Sequence, residues 1–300
     1  MGKILVIGSS NTDMVVKSGR FPTPGETILG GAFFMFPGGK GANQAVAAAR
    51  LGGQVTFITK VGDDLFGKNA LSGFEKEGID TSFVTIDEEQ PSGVALINVN
   101  DQGENQIVVA SGANGYLLPD HIDTGASAFT SSEVILVQLE IPLKTVEHII
   151  AKAKTLNKKV ILNPAPAQTV SEAALQDLYC ITPNQSEAAL LTGLEVKDEE
   201  SARQAAMILV ERGVKHVIIT MGAKGALYMS QKDHFLIEAN PVEAVDTTAA
   251  GDVFNGALSV ALARAAGWHE SIAFANRAAA LSVTRMGAQA SAPYKDELRD

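Results

Sequence analysis

Three hundred residues suffice for one large α/β domain or two smaller ones, and a hydrophobic content of 46% indicates a well-buried core, not a disordered chain. A formal net charge of −10 argues against a nucleic-acid surface, although backbone amides or a metal ion can still hold an anionic substrate locally. The one cysteine, Cys180, excludes an intramolecular disulfide, and no run approaches the roughly 18 apolar residues that a membrane span needs.

Lys3–Ile7 reads as a buried strand that opens into a polar turn, Gly8 to Asp13. Neither the Rossmann glycine pattern nor a P-loop is present. Asp13 has two readings: a solvated turn residue, or a carboxylate accepting from two neighbouring hydroxyls. Residues 14–36 change character. Met14–Lys17 is extended, Phe21-Pro22-Thr23-Pro24-Gly25 is a turn, and Ile28–Phe36 carries several aromatics. This stretch reads as hairpin-type strands, whose aromatics are either core or the face of a lid or dimer.

Gly38-Gly39-Lys40-Gly41-Ala42-Asn43 leads into an expected helix, Gln44–Leu51. A glycine-rich turn onto a helix N-terminus offers free amides and close approach to a polar ligand. Gln54–Val61 reads as one strand and Phe66–Glu77 as a helix. Val94–Asn100 and Gln106–Ala110 form a hairpin around Asp101-Gln102-Gly103, with no helix between. They are expected to join residues 14–36 in a small separate sheet. The expected division is therefore a large domain, 1–13, 37–92 and 112–300, and a lid, 14–36 and 93–111.

The second half alternates strand and helix. Strands are expected at Val134–Leu139, Lys159–Leu162, Tyr179–Thr182 and His216–Ile219, with helices at Leu143–Leu156, Ser171–Asp177, Glu187–Leu191 and Ser201–Arg212. That alternation implies a parallel sheet. Five apolar runs lead into Asp13, Glu140, Asn163, Asn184 and Thr220, which would line the rim where open α/β sheets bind ligands. Asn184 and Glu187 read equally as a capping box or as Mg²⁺ and phosphate positioning. Thr220-Met221-Gly222-Ala223-Lys224-Gly225 is either a plain hairpin turn before Ala226–Met229 or a nucleotide-contacting loop. Asn276, on the helix Ser271–Leu281, is either packing or an adenine contact.

Residues 246–256 follow an extended stretch, Pro241–Val245. Small residues there precede an alanine-rich helix from Asp252 to about Ala266, and unpaired amides at such a start can hold an anion. A carboxylate at that position is ordinarily a cap, but beside an anion hole it can also be a general base. The histidines, 121, 148, 216, 234 and 269, show no metal spacing, and Gly-x-Ser-x-Gly is missing. No leader, lipidation or retention signal is legible, so the cytoplasm is the expected compartment.

Asn11-Thr12-Asp13, Phe21 to Thr27, Gly38 to Ala45, Asn163 to Ala167, Thr182-Pro183-Asn184 with Glu187, Asp246 to Gly256 and Val283 to Gln289 occur in one order along the whole chain. In these motifs the sequence resembles the PfkB-type carbohydrate kinases, most closely their ribose-phosphorylating branch. The resemblance implies an α/β fold with a large doubly wound, mostly parallel sheet flanked by helices and a small β-sheet lid. It implies ATP-dependent phosphorylation of D-ribose at O5, with Asp252 as base and the amides of Ala249, Ala250, Gly251 and Asp252 as anion hole. Asn11, Thr12, Asp13, Gly39, Lys40, Gly41, Ala42, Asn43 and Glu140 would hold the sugar. Asn184, Thr220, Met221, Gly222, Ala223, Lys224, Gly225 and Asn276, with Gly251 and Asp252, would hold ATP, and Glu187 would support Mg²⁺. A K⁺ ion would sit by Asp246, Thr248, Ser282, Arg285, Gly287 and Ser291, mostly on backbone carbonyls. The lids would pair in a homodimer. One departure is the end of the chain soon after Ser291, where a slightly longer helix is expected. Another sugar or nucleoside kinase, or a non-catalytic sensor on this fold, are the rival readings.

Overall fold

The computed structural model describes residues 2–176 and 178–298, so Asp177, the last residue of the helix expected at 171–177, lies outside the described residues. Its strands are β1 Lys3–Ile7, β2 Asn11–Lys17, β3 Phe33–Gly38, β4 Gln54–Ile58, β5 Lys60–Gly62, β6 Thr85–Asp87, β7 Gly93–Val99, β8 Asn105–Ala110, β9 Val134–Gln138, β10 Lys159–Asn163, β11 Cys180–Ile181, β12 His216–Thr220, β13 Ala226–Ser230 and β14 His234–Ile237. Its α-helices are α1 Lys40–Arg50, α2 Leu65–Lys76, α3 Pro119–Thr124, α4 Ala126–Ser131, α5 Leu143–Thr155, α6 Glu172–Leu175, α7 Gln185–Thr192, α8 Glu199–Glu211, α9 Ala250–Ala263 and α10 Trp268–Ser282.

Strands buried on both faces read as unbroken apolar runs, and β1 and β9 are of that kind. They sit inside an eight-stranded sheet of order β14-β13-β12-β11-β10-β9-β1-β4. Pairing is parallel from β4 to β12, and β13 and β14 add an antiparallel edge. Alternate residues of one strand feed two cores. Leu5 and Ile7 pack with Phe129, Ile149 and Leu209, whereas Ile4 and Val6 pack with Val46, Phe57, Leu258 and Ile272. Helices therefore cover both faces, as the alternating sequence requires.

Helix α9 is apolar nearly all round and buried from Asp252 to Ala263, so it is a core helix, not a surface one. It lies so close to α1 that a Cβ on Gly256 would stand 2.9 Å from the carbonyl oxygen of Gln44 and 2.8 Å from the Ala47 methyl. Gly256 is thus what lets the two helices meet backbone to backbone, and this contact joins the two glycine-rich motifs of the sequence.

A second sheet has the order β3-β2-β7-β8, with β2 parallel to β7 and the other pairs antiparallel. Paired residues share a face. Asn11, Asp13, Phe34, Phe36 and Ile107 lie on one, and Met14, Phe33, Met35, Leu96 and Val108 on the other. Phe33, Met35, Leu96, Ile107 and Val108 are all more than half exposed.

Three expectations about local structure need correction. Asn11, Thr12 and Asp13 do not lie in a turn but begin β2, because alternation along a strand sends Asn11 and Asp13 to one face while Thr12 takes the other. Gln54–Val61 is two strands. The run leaves β1 after Ile58 and Lys60–Gly62 pairs with β6 in a separate ribbon, a change of partner that a run of β-branched residues does not reveal. Helix α1 begins at Lys40, not Gln44, and α9 begins at Ala250, not Asp252, since small residues in a first turn are as helical as those after it.

Candidate active site

Register places the carboxyl ends of β1, β9 and β10 level, with Ile7 opposite Val137 and Gln138 opposite Asn163. The segments that leave them carry Ser9, Glu140 and Asn163 onto one rim. Thr182 and Asn184 follow β11, and Asn184 bridges to Thr220 at the end of β12. The amino ends of α1 and α9 point onto the same rim.

Gly39 caps α1 at φ 88, and a Cβ there would stand 2.6 Å from the amide nitrogen of Asn11. Only glycine tolerates that conformation at that distance. The turn is fastened by Glu140, whose Oε2 accepts from the Ser9 hydroxyl at 2.5 Å and from the Lys40 amide at 3.0 Å. Asn11 is held by Asn114, whose Nδ2 donates to Asn11 Oδ1 at 2.8 Å while its Oδ1 accepts from the Ser10 amide at 2.9 Å. Asp13 lies over Gly38, where a Cβ would come within 2.4 Å of its carboxylate. Thr12 points to the opposite face of β2.

Asp252 is buried, only 6% exposed. It does not cap its helix. Instead, Asn43 Nδ2 donates to its Oδ2 and Gln44 Nε2 to its Oδ1, each at 2.9 Å. Burial pushes its pKa up, opposed by Lys40 and by those two amides and reinforced by Glu140. Asp13 is pushed up to about 6, first by burial and then by the negative charges of Glu140 and Asp252, with Lys40 opposing. Lys40 is held above its ordinary value, chiefly by Asp252 and further by Glu140, Glu187 and Asp13, against its burial. One ammonium thus sits among four carboxylates.

Ala249, before α9, adopts the left-handed conformation at φ 60. For a residue with a Cβ this conformation is costly and marks a turn held in place by its surroundings. The Ala250 amide leans towards Thr247 oxygen at 3.3 Å, and among the described residues the amides of Gly251 and Asp252 meet no acceptor. A Cβ on Gly251 would touch nothing within 4 Å, so the space over this helix end is open.

Around that turn, Asp246 accepts from the amides of Thr248 and Gly287, both at 2.9 Å. Burial raises its pKa, but the Thr248 and Gly287 donors outweigh it and hold the carboxyl below its usual range, ionised. The structure thus brings Asp246, Thr248 and Gly287 together. The Ser282 and Ser291 hydroxyls are spent on the carbonyls of Ala279 and Ala288, and the Arg285 guanidinium pairs outward with Glu297. For these three only backbone carbonyls are left to offer a cation. Glu187 and Asn184 form the reciprocal capping box of α7, with both Glu187 oxygens bonded to Asn184. No group of three acidic, histidine or cysteine side chains fit for a metal occurs among the described residues.

Gly222 and Gly225 turn the chain between β12 and β13 through Gly222–Lys224, at φ 56 and 100. Beside this turn Met221, Ala223, Lys224, Leu236, Glu238 and Ala239 line a cavity of about 340 Å³. Asn276 abuts the same strand end, its Nδ2 donating to Ile237 oxygen at 3.0 Å. Sequence reasoning missed Ser9, Asn114 and Gln138. A glutamine inside the apolar run Val134–Gln138 was a legible signal, because a buried amide must find partners.

The family model described as pfkB family carbohydrate kinase matches residues 1–295. The ribokinase of Haemophilus influenzae is 45% identical over 294 residues, 98% of this chain and 96% of that one. The deoxyribokinase of Salmonella typhi is 40% identical over 99% of this chain and 97% of its own length. The solved structure of Arabidopsis thaliana ribokinase complexed with ribose and ATP superposes with a TM-score of 0.93 at 30% identity, covering 99% of this chain and 97% of that one.

Proposed function

This chain belongs to the pfkB family of carbohydrate kinases, and from that premise we propose that it transfers the γ-phosphoryl group of ATP to O5 of D-ribose. The observation that carries the reading is the buried Asp252 carboxylate, gripped from the sugar-side helix α1 next to the open amides of α9. Asp252 takes the proton of the 5-hydroxyl, O5 bonds to the γ-phosphorus, and the bond to the bridging oxygen breaks to leave ADP. The amides of Gly251 and Asp252 and the Lys40 ammonium meet the charge of the moving phosphoryl group. Asn11, Asp13, Asn43 and Glu140 hold the sugar hydroxyls, with the Gly39 to Ala42 backbone beneath them. The nucleotide occupies the cavity beside Thr220 to Gly225 and Asn276, with Asn184 at its phosphate end.

Mg²⁺ would arrive with the ATP phosphates, supported through water near Glu187, which suits a site with few protein oxygens. K⁺ would rest on the ionised Asp246 and on carbonyls of the 246–248 and 282–291 segments, where it neutralises charge beside the anion hole. We propose the cytoplasm, with its ATP supply, as the compartment. No helix among the described residues is long and apolar enough to cross a membrane.

The test is ADP release from Mg-ATP with ribose, deoxyribose, fructose or adenosine, each with and without K⁺. Ribose should give the highest kcat/KM and K⁺ should raise it. Preference for deoxyribose would keep Asp252 and reassign the sugar contacts. Equal rates with K⁺ and a large organic cation would remove the cation site.

The β3-β2-β7-β8 sheet is the lid over the sugar, and a sheet with large apolar side chains on both faces is not stable in water alone. Two lids pack together in a homodimer. Light scattering should therefore report twice the 31.4 kDa chain mass. Val108→Asp, at a position 67% exposed in the single chain, should halve that mass. A parent protein that runs as a monomer at micromolar concentration would end the dimer reading.

A further inference from the structure

Gln44 is fully buried and has no part in the sugar contacts proposed above. Its Nε2 donates to Asp252 Oδ1 at 2.9 Å and to Asn163 Oδ1 at 3.0 Å, and its Oε1 accepts from Gln138 Nε2 at 2.6 Å. Both amide hydrogens and the carbonyl are committed. Flipping the amide would set its oxygen against two acceptors and its NH₂ against a donor, so a single orientation survives. Gln138 ends β9 and Asn163 ends β10. The chain of bonds therefore runs from two strands of the sheet, through α1, to a carboxylate on α9. Asn43 holds the other Asp252 oxygen through its Nδ2; among the described residues its Oδ1, like the Oε1 of Gln138, is buried without a partner.

The last torsion of an aspartate is soft and roughly two-fold, so a base on a helix start does not aim itself. We propose that Gln44 is the positioning residue of this reaction, a buried amide that locks the rotation of the Asp252 carboxylate against β9 and β10 without touching sugar or nucleotide. This rests on Asp252 acting as the base. The Gln44 hydrogen bond also lowers the Asp252 pKa, alongside Asn43 and Lys40 from α1; Glu140 after β9, Asp13 on β2 and Glu187 on α7 are the acidic groups that interact with it. Gln44 thus aims the base and opposes part of the burial that favours its proton.

The experiment compares Gln44→Met, which removes the donor, and Gln44→Glu, which keeps the volume and the acceptor for Gln138. Gln138→Met, which frees Gln44 without touching Asp252, covers the case where neither folds. Each should lower kcat, by about 10- to 100-fold for the Gln44 variants and less for Gln138→Met, with the ribose KM within about 3-fold of the parent. In an Asp252→Asn background, Gln44→Met should cost no further kcat, because its effect runs through that carboxylate. Carboxyl ¹³C NMR, with the Asp252 signal identified by its loss in Asp252→Asn, should show the midpoint moving to higher pH in Gln44→Met.

An unchanged kcat, a KM rising in step with the loss, a fully additive loss in the Asp252→Asn background, or an unmoved titration each overturns the role of Gln44. The NMR titration needs no substrate. A parent that leaves ribose unphosphorylated while the midpoint still shifts sinks the sugar assignment and leaves the Gln44–Asp252 coupling standing.

Discussion

Asp252→Asn should lower kcat by about a thousand-fold, within the 10²–10⁴ range of a lost general base, and change ribose affinity by less than about three-fold. Asparagine keeps the volume and shape of the side chain, so the proposed sugar site between β2 and α1 stays intact. What disappears is the acceptor for the 5-hydroxyl proton. One grip is also lost, because Asn43 and Gln44 both present NH₂ groups to the carboxylate and the asparagine NH₂ can face neither. Stability should hardly fall. Burial disfavours the charged form of Asp252, so removing that charge offsets the lost hydrogen bond. Steady-state kinetics, ribose calorimetry and a thermal melt together separate these effects. A variant that retains a tenth or more of the parent kcat would take the base role away from Asp252.

The layered α/β architecture was legible because its strands announce themselves. Ile4–Ile7 and Val134–Val137 are apolar without a break, and the segments that leave them carry Ser9 and Glu140 onto the common rim, whereas Asp13, expected on that rim, lies on β2 of the small sheet. The lid was legible from the opposite sign, strands with no helix between them. What escaped depends on contacts between distant segments. Thr59 reads as mid-strand, yet the chain changes partner there, and nothing local to Gln54–Val61 names β6 as the new one. The Asn11 support is a case of the same kind, since Asn114 is 103 residues away and carries no motif of its own. Glu187 shows a different limit. Its spacing from Asn184 fits a cap and a phosphate site alike, and the structure fills both its oxygens with the capping bonds. A residue can satisfy the bland role completely, and then only a bound nucleotide reveals whether it has a second one. Asp252 is the converse: at a helix start its bland role was a cap, and the folded chain gives its oxygens to side chains of α1 instead.

Asp13→Asn should raise the ribose KM by about a hundred-fold, and should also make the protein more stable at neutral pH. The first effect follows from geometry and charge. On β2, facing the same way as Asn11 and beside Gly38, the Asp13 carboxylate would, in the proposed complex, accept from two neighbouring hydroxyls. Charge-assisted bonds of that kind contribute about 1.5–3 kcal/mol each, and losing about 3 kcal/mol corresponds to roughly two orders of magnitude in affinity. The second effect follows from the raised pKa of about 6, caused by burial and then by Glu140 and Asp252. The folded protein holds this proton more tightly than the unfolded chain, whose carboxyl titrates near the ordinary 3.8. Asp13 therefore favours the fold fully below pH 3.8, and that contribution is lost as pH rises through about 6. Above it, the ionised group costs about 1–3 kcal/mol, which asparagine removes. The melting temperature of Asp13→Asn should exceed that of the parent at pH 7.5, and the gap should close by pH 4. Ribose binding by the parent should weaken as pH falls through about 6, because a protonated Asp13 loses acceptor capacity, and the variant should lack this limb. A parent whose ribose affinity is flat from about pH 5 to 8 would show that Asp13 does not hold the sugar as an anion. The carboxylate is in this sense a strain retained for the substrate: removing it gains stability in the empty protein and forfeits the hydroxyl contacts that justify its burial.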